Sequence, residues 1–165
     1  MIRKTLLALA AIAATGLAQA ATYSFSGSLD ADPAATLVGS FSISDADAAA
    51  AFAGSIDAPV LTGLSFVFQG QTFTLAQASG YTPYAQFDAG AMLGPNALFS
   101  FTSAGGAASL ELQSFFGASF FTYQVAGSQD QLGDLSVTAV PEPETWALML
   151  GGLGAIGMLA RRRKP

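Results

Sequence analysis

The sequence predicts an all-β domain over residues 21–140, built as an antiparallel β-sandwich. Three observations predict it. Apolar and polar residues alternate through about eight short segments. Gly, Asp and Pro occupy the gaps between them, and thirteen Phe with four Tyr supply large inward side chains. A period of two sends successive side chains to opposite faces of a pleated strand, one buried and one wet. Short strands at such spacing pack as two facing sheets, in either a jelly-roll or an immunoglobulin-like order. A chain of 165 residues has room for one such domain.

The chain opens on a segment that does not belong to this pattern. Met1-Ile2-Arg3-Lys4 is basic, the run from Thr5 to Leu17 is apolar, and Ala18-Gln19-Ala20 ends it with small residues two apart. The basic end stays in the cytoplasm, the apolar run enters the membrane, and the small side chains fit a peptidase pocket. Residues 1–20 are therefore expected to be a signal peptide, cut by signal peptidase between Ala20 and Ala21.

The strands follow in order. In Thr22–Leu29 the residues Tyr23, Phe25 and Leu29 face inward. In Leu37–Ile43, Leu37, Phe41 and Ile43 do so. Leu64–Phe68 and Phe73–Leu75 flank Gln69-Gly70-Gln71, which predicts a hairpin connection. Ala97–Thr102, Ala108–Gln113, Ser119–Val125 and Asp134–Ala139 complete the set. Leu110 and Leu112 oppose Glu111 and Gln113, while Leu135, Val137 and Ala139 oppose Ser136 and Thr138. Pro33, Pro59, Pro83 and Pro95 are expected between strands, where a missing N–H costs nothing. Ser44–Ala53 is rich in Ala and predicts either one or two helical turns or an exposed loop. Phe115, Phe116, Phe120 and Phe121 flank Gly117. Strict alternation would leave an exposed apolar surface there, whereas a β-bulge would turn the rings inward.

The C-terminal segment again breaks the pattern. Pro141-Glu142-Pro143-Glu144-Thr145 precedes an apolar run from Trp146 to Ala160, and Arg161, Arg162, Arg163 and Lys164 follow it. Fifteen helical residues reach about 22 Å, short for a hydrocarbon core of about 30 Å. Trp146 suits one interface and the arginines snorkel at the other. The basic cluster holds the chain end in the cytoplasm, so residues 21–145 face outward. Four glycines (151, 152, 154 and 157) suit this helix to a temporary hold. Residues 141–165 are thus expected to form a membrane-retention tail.

This ending resembles the PEP-CTERM sorting signal of exported Gram-negative bacterial proteins. Pro141, Glu142 and Pro143, the short Gly-rich apolar helix led by Trp146, and the basic cluster occur in the family's order. Glu144 stands where the family pattern usually has Ser. The resemblance implies that the tail is a substrate of an exosortase, a multi-pass membrane transpeptidase with a catalytic Cys. It also implies a cut near the triplet and a link to exopolysaccharide and biofilm. Pro141, Glu142 and Pro143 would then be a sequence read by another enzyme. Two prolines keep that stretch extended and within a protease's reach.

The composition of residues 21–140 restricts the chemistry. All six Lys and Arg lie outside this segment, which holds nine of the eleven acidic residues. Phosphate contacts need basic groups, so a nucleic-acid partner is not expected. The chain has no Cys and no His, which removes disulfides, thiolate chemistry, the usual neutral-pH base and the commonest zinc ligand. Asp30 with Asp32, and Asp45 with Asp47, are paired carboxylates of the kind that bind Ca²⁺, but neither pair has EF-hand spacing. They are expected to be solvated turn acids. Glu111 is the only Glu between residues 21 and 140, which argues against a two-carboxylate glycosidase. No catalytic residue, metal or cofactor is expected. Two functions remain: an exported structural or matrix-associated domain, or a carbohydrate-binding module stacking sugars on Tyr81, Tyr84 or Phe87. The domain's lack of Trp weighs against the second.

Overall fold

Residues 21–140 and 151–153 are described by the structure, a computed structural model. Nine strands run through the first stretch: β1 (Ala21–Leu29), β2 (Thr36–Ile43), β3 (Gly63–Phe68), β4 (Gln71–Thr74), β5 (Ala78–Asp88), β6 (Ala91–Ser103), β7 (Gly106–Phe115), β8 (Ala118–Val125) and β9 (Gln131–Ala139). A helix α1 (Asp45–Phe52) follows β2, and a 3-10 turn (Leu75–Gln77) joins β4 to β5. The expected alternation holds where it is cleanest. Tyr23, Phe25, Leu29, Leu37, Phe41, Ile43, Leu110 and Leu112 are all buried. Ala139, the last residue of β9, is exposed.

All nine strands belong to one antiparallel sheet, in the order β4-β3-β2-β1-β9-β8-β7-β6-β5. The two separate sheets expected from the sequence are absent among the described residues. A single sheet folds over on itself instead, because β1 pairs with β9 and joins the two halves. Rings then meet across the fold: Phe66 on Phe99 at 5.1 Å, Phe73 on Phe101 at 4.8 Å and Phe68 on Phe121 at 5.8 Å. The core is thus aromatic and lies between the facing halves, as in a sandwich.

The segment before β3 almost closes the sheet into a barrel. Leu61 N–H donates to the Pro83 carbonyl (3.0 Å), Ala85 N–H to Pro59 (2.8 Å) and Phe87 N–H to Asp57 (2.7 Å). One residue later, Thr62 N–H donates to Ser42 of β2 (2.8 Å) and the chain enters β3. The outer edge of β5 is therefore covered rather than left open to another chain.

β5 and the first half of β6 are strands where the sequence reading placed loops. Pro83 and Pro95 lie inside them, not between strands. The physical reason is irregular pairing. The β5–β6 register shifts between Ser79 and Tyr84 and again between Gln86 and Phe87, so alternation is lost there. Gly80 sits at the first shift with φ 81°. Ser44–Ala53 resolves to the helix: Ser44 is extended, and its Oγ accepts from Asp47 N–H (3.1 Å), the N-cap arrangement. Ala48 and Ala51 are the helix's buried residues.

Candidate functional site

The first and last strands pair in antiparallel fashion, so the domain's two chain ends lie together. Tyr23 stands opposite Ala139, and Val140 N–H donates to the Thr22 carbonyl at 3.0 Å. Ala21, expected to follow the N-terminal cut, is the first residue of β1. Pro141, which has no N–H to donate, is the residue that follows this last rung.

The same end of the sheet carries exposed aromatic rings. β7 and β8 are joined by the two-residue turn Phe116-Gly117, both at positive φ (50° and 78°). Phe116 is 97 % exposed, Phe115 is 44 % exposed, and their rings meet edge to face at 5.3 Å. Phe120 packs on Phe115 from the outer face at 5.1 Å. Of the four rings whose direction the sequence left open, only Phe121 is fully buried. No bulge interrupts the ladder from Ala108↔Val125 to Phe115↔Ala118, so alternation decides which way they point.

A groove of about 360 Å³ opens on the wet face of β5 and β7, lined by Tyr81, Tyr84, Glu111, Gln113 and Phe115 among others. The Tyr81 hydroxyl donates to Glu111 Oε1 at 3.4 Å, and its ring lies 6.3 Å from that of Tyr84. Burial, with the Glu111 carboxylate beside it, holds the Tyr81 phenol well above the usual tyrosine range. Tyr81-Thr82-Pro83-Tyr84 thus lies on a strand rather than in a loop. Phe87, proposed from sequence as a stacking residue, is buried and 5.5 Å from Phe52, so it faces no ligand.

The acidic pairs have local partners. Asp32 Oδ1 accepts from Ala34 N–H at 3.1 Å, and Asp47 Oδ2 accepts from the Ser44 hydroxyl at 2.7 Å. Among the described residues no group of three or more Asp or Glu is placed to hold a metal ion.

Residues 139–164 match the PEP-CTERM protein-sorting motif. The match begins at the last residue of β9, one residue before the rung that ties Val140 to Thr22. No curated protein and no solved structure matches the chain. A PEP-CTERM motif implies an exported protein that is held transiently at a membrane and targeted to an exosortase.

The PEP-CTERM triplet Pro141, Glu142 and Pro143 lies outside the described residues. So do Trp146, Ala160, Arg161, Arg162, Arg163 and Lys164, and so do Ala18 and Ala20 at the other end. Gly151–Leu153, inside the expected span, are helical. Among the described residues no helix is long and apolar enough to cross a membrane. Sequence reasoning missed that both ends leave the sheet side by side. The matching apolar patterns of 22–29 and 134–139 carry no signal of which strands pair.

Proposed function

We propose that residues 21–140 form a non-enzymatic domain delivered to the cell surface or its matrix. Residues 1–20 direct export and are removed by signal peptidase at Ala20–Ala21. Trp146–Ala160 then holds the precursor in the inner membrane, with Arg161–Lys164 in the cytoplasm. An exosortase cuts near Pro141–Glu144 and frees or transfers the domain, which contributes to an exopolysaccharide matrix. The observation that carries this reading is the position of the sorting match. It starts where the sheet ends, so a cut at the triplet removes no core residue.

The test is intact mass by cell fraction, in a host with the sorting enzyme and in the same host without it. The tail should be lost only in the first. Wild-type protein that keeps its tail in both hosts would make the segment an ordinary anchor.

A carbohydrate-binding role is favoured by one observation, the groove that brings Tyr81, Tyr84 and Phe115 beside Glu111 and Gln113. Rings beside acid and amide groups suit a neutral sugar face, and the absence of basic residues from 21–140 disfavours an acidic one. Retention on a neutral polysaccharide that Tyr81→Ala abolishes would support it. Equal retention of both proteins would remove it.

A further inference from the structure

We propose that the end of the barrel carrying both chain ends is a membrane-facing surface. In the tethered precursor, the Phe115–Phe116 hairpin tip rests in the outer-leaflet interface of a zwitterionic bilayer. The inference rests on the transient anchoring proposed above, and it adds a second, reversible contact made by the folded domain.

The sheet register places the tip beside the tether. Phe120 of β8 stands opposite Asp134 of β9, which in turn stands opposite Ser28 of β1. Counting back from Phe120 toward the tip runs parallel to counting forward from Asp134 toward Ala139. Phe116 therefore comes level with Thr138, two residues short of the exit at Val140. Gly94 confirms the neighbourhood, because a Cβ there would meet Ser119 Oγ at 2.9 Å and Val137 Cγ2 at 3.3 Å. The β5–β6 turn sits alongside, since Asp88 and Ala89 line one groove with Phe115 and Phe116. A Cβ on Gly90 of that turn would lie 2.8 Å from the Phe52 carbonyl. All three exposed phenylalanines, Phe52, Phe115 and Phe116, thus gather at the end from which the chain leaves.

The tether is short. From Val140 to Trp146 is six steps of at most about 3.6 Å each, so the exit at Val140 beside the tip stays within about 22 Å of the interfacial Trp. The signal peptide leaves from the same end, beside Val140, so this end faces the membrane before either cut. Aromatic rings gain by entering the interfacial layer, whereas in water the Phe116 ring is left almost wholly exposed. Charge selects the lipid. Asp57 and Asp88 border the tip, and α1 begins with Asp45 and Asp47. With no base in residues 21–140, an anionic surface would repel this end. Two or three rings make a shallow contact, which ends when the tether is cut.

The chain has no Cys, so one introduced Cys carries one environment-sensitive label. Three versions of the tailed precursor, Ala118→Cys, Ser128→Cys and Leu153→Cys, are labelled and reconstituted in phosphatidylcholine vesicles with spin-labelled lipid. Position 118 adjoins the tip, 128 lies in the β8–β9 loop at the opposite end, and 153 lies in the tail. Quenching should be severalfold stronger at 118 than at 128, and strong at 153. Adding Phe115→Ser and Phe116→Ser should reduce quenching at 118 to the level of 128 and leave 153 unchanged. Partial replacement of the lipid by phosphatidylglycerol should also weaken quenching at 118. Strong quenching at 153 with 118 equal to 128 overturns the surface and leaves the anchor standing. No quenching at 153 removes the anchor, and with 118 also unquenched the surface falls too. Quenching at 118 that survives the double substitution overturns the lipid contact as well.

Discussion

Phe116 holds φ 50° in a two-residue hairpin turn, a conformation that costs an L-residue about 1–2 kcal/mol and that Asn or Gly adopts readily. Its ring is almost wholly exposed, so burial offsets little of that cost. Phe116→Asn should therefore raise the thermal midpoint by a few degrees, about 4 °C per kcal/mol for a domain of this size. A lowered midpoint in a melting experiment would mean that the contact with Phe115 outweighs the backbone strain. Gly133 illustrates the opposite case. A Cβ there would meet the Ser28 carbonyl and the Phe121 ring at 2.6 Å or closer. Both are parts of the packed sheet and cannot swing away. Gly133→Ala should cost about 1–3 kcal/mol, measured by denaturant unfolding with the slope unchanged.

At the scale of elements, β6 keeps β5 on one side and loses β7 on the other halfway along its length. Its ladder with β7 ends at Ala97↔Leu112, and beyond that point side chains replace backbone rungs. Asn96 Oδ1 accepts from Ser114 N–H (2.9 Å), Asn96 Nδ2 donates to the Ser114 carbonyl (3.4 Å), and Ser114 Oγ donates to the Pro95 carbonyl (3.3 Å). Asn96 and Ser114 are the buried polar residues of the described structure. This exchange lets β6 depart from β7 without stranding buried backbone groups. Asn96→Ala should destabilise the domain by about 1–3 kcal/mol, the cost of leaving buried partners unsatisfied. Hydrogen exchange should rise first at the Ser114 amide, and uniform loss of protection instead would mean that the replacement of backbone rungs by side chains does not act locally.

For the whole molecule, the pairing of β1 with β9 brings the two chain ends of the domain together. N-terminal sequencing of the mature protein should begin at Ala21, and a chain outside the inner membrane that starts at Met1 would contradict the export reading. Replacing Pro141, Glu142 and Pro143 by Ala should preserve retention but leave a membrane-bound product heavier by the mass of the uncut tail. Neutralising Arg161, Arg162, Arg163 and Lys164 should have the opposite effect. Retention loosens and uncut precursor escapes, since a basic cluster is costly to carry across the membrane. Intact mass in the membrane and medium fractions separates the two.

Local chemistry made much of this protein legible in its sequence. The sorting signal is a linear pattern, visible without a fold, and the match over residues 139–164 bears the resemblance out. Strands with regular pairing were equally visible, because a period of two survives wherever one face is buried and the ladder has no shift, as in 23–29 and 110–112. β5 escaped notice because its register slips twice, which erases that period, and because Gly80 and Pro83 resemble loop residues. Only tertiary structure decided that one sheet, not two, makes the domain, that Phe87 is core and that Tyr81 meets Glu111. Pairing of β1 with β9 spans more than a hundred residues, and the hydrophobic pattern says which face of a strand is buried but not which strand lies beside it. The placement of three exposed phenylalanines at the end where the chain leaves follows from that pairing together with those of β8 with β9 and of β7 with β8, and from the approach of Gly90 to Phe52.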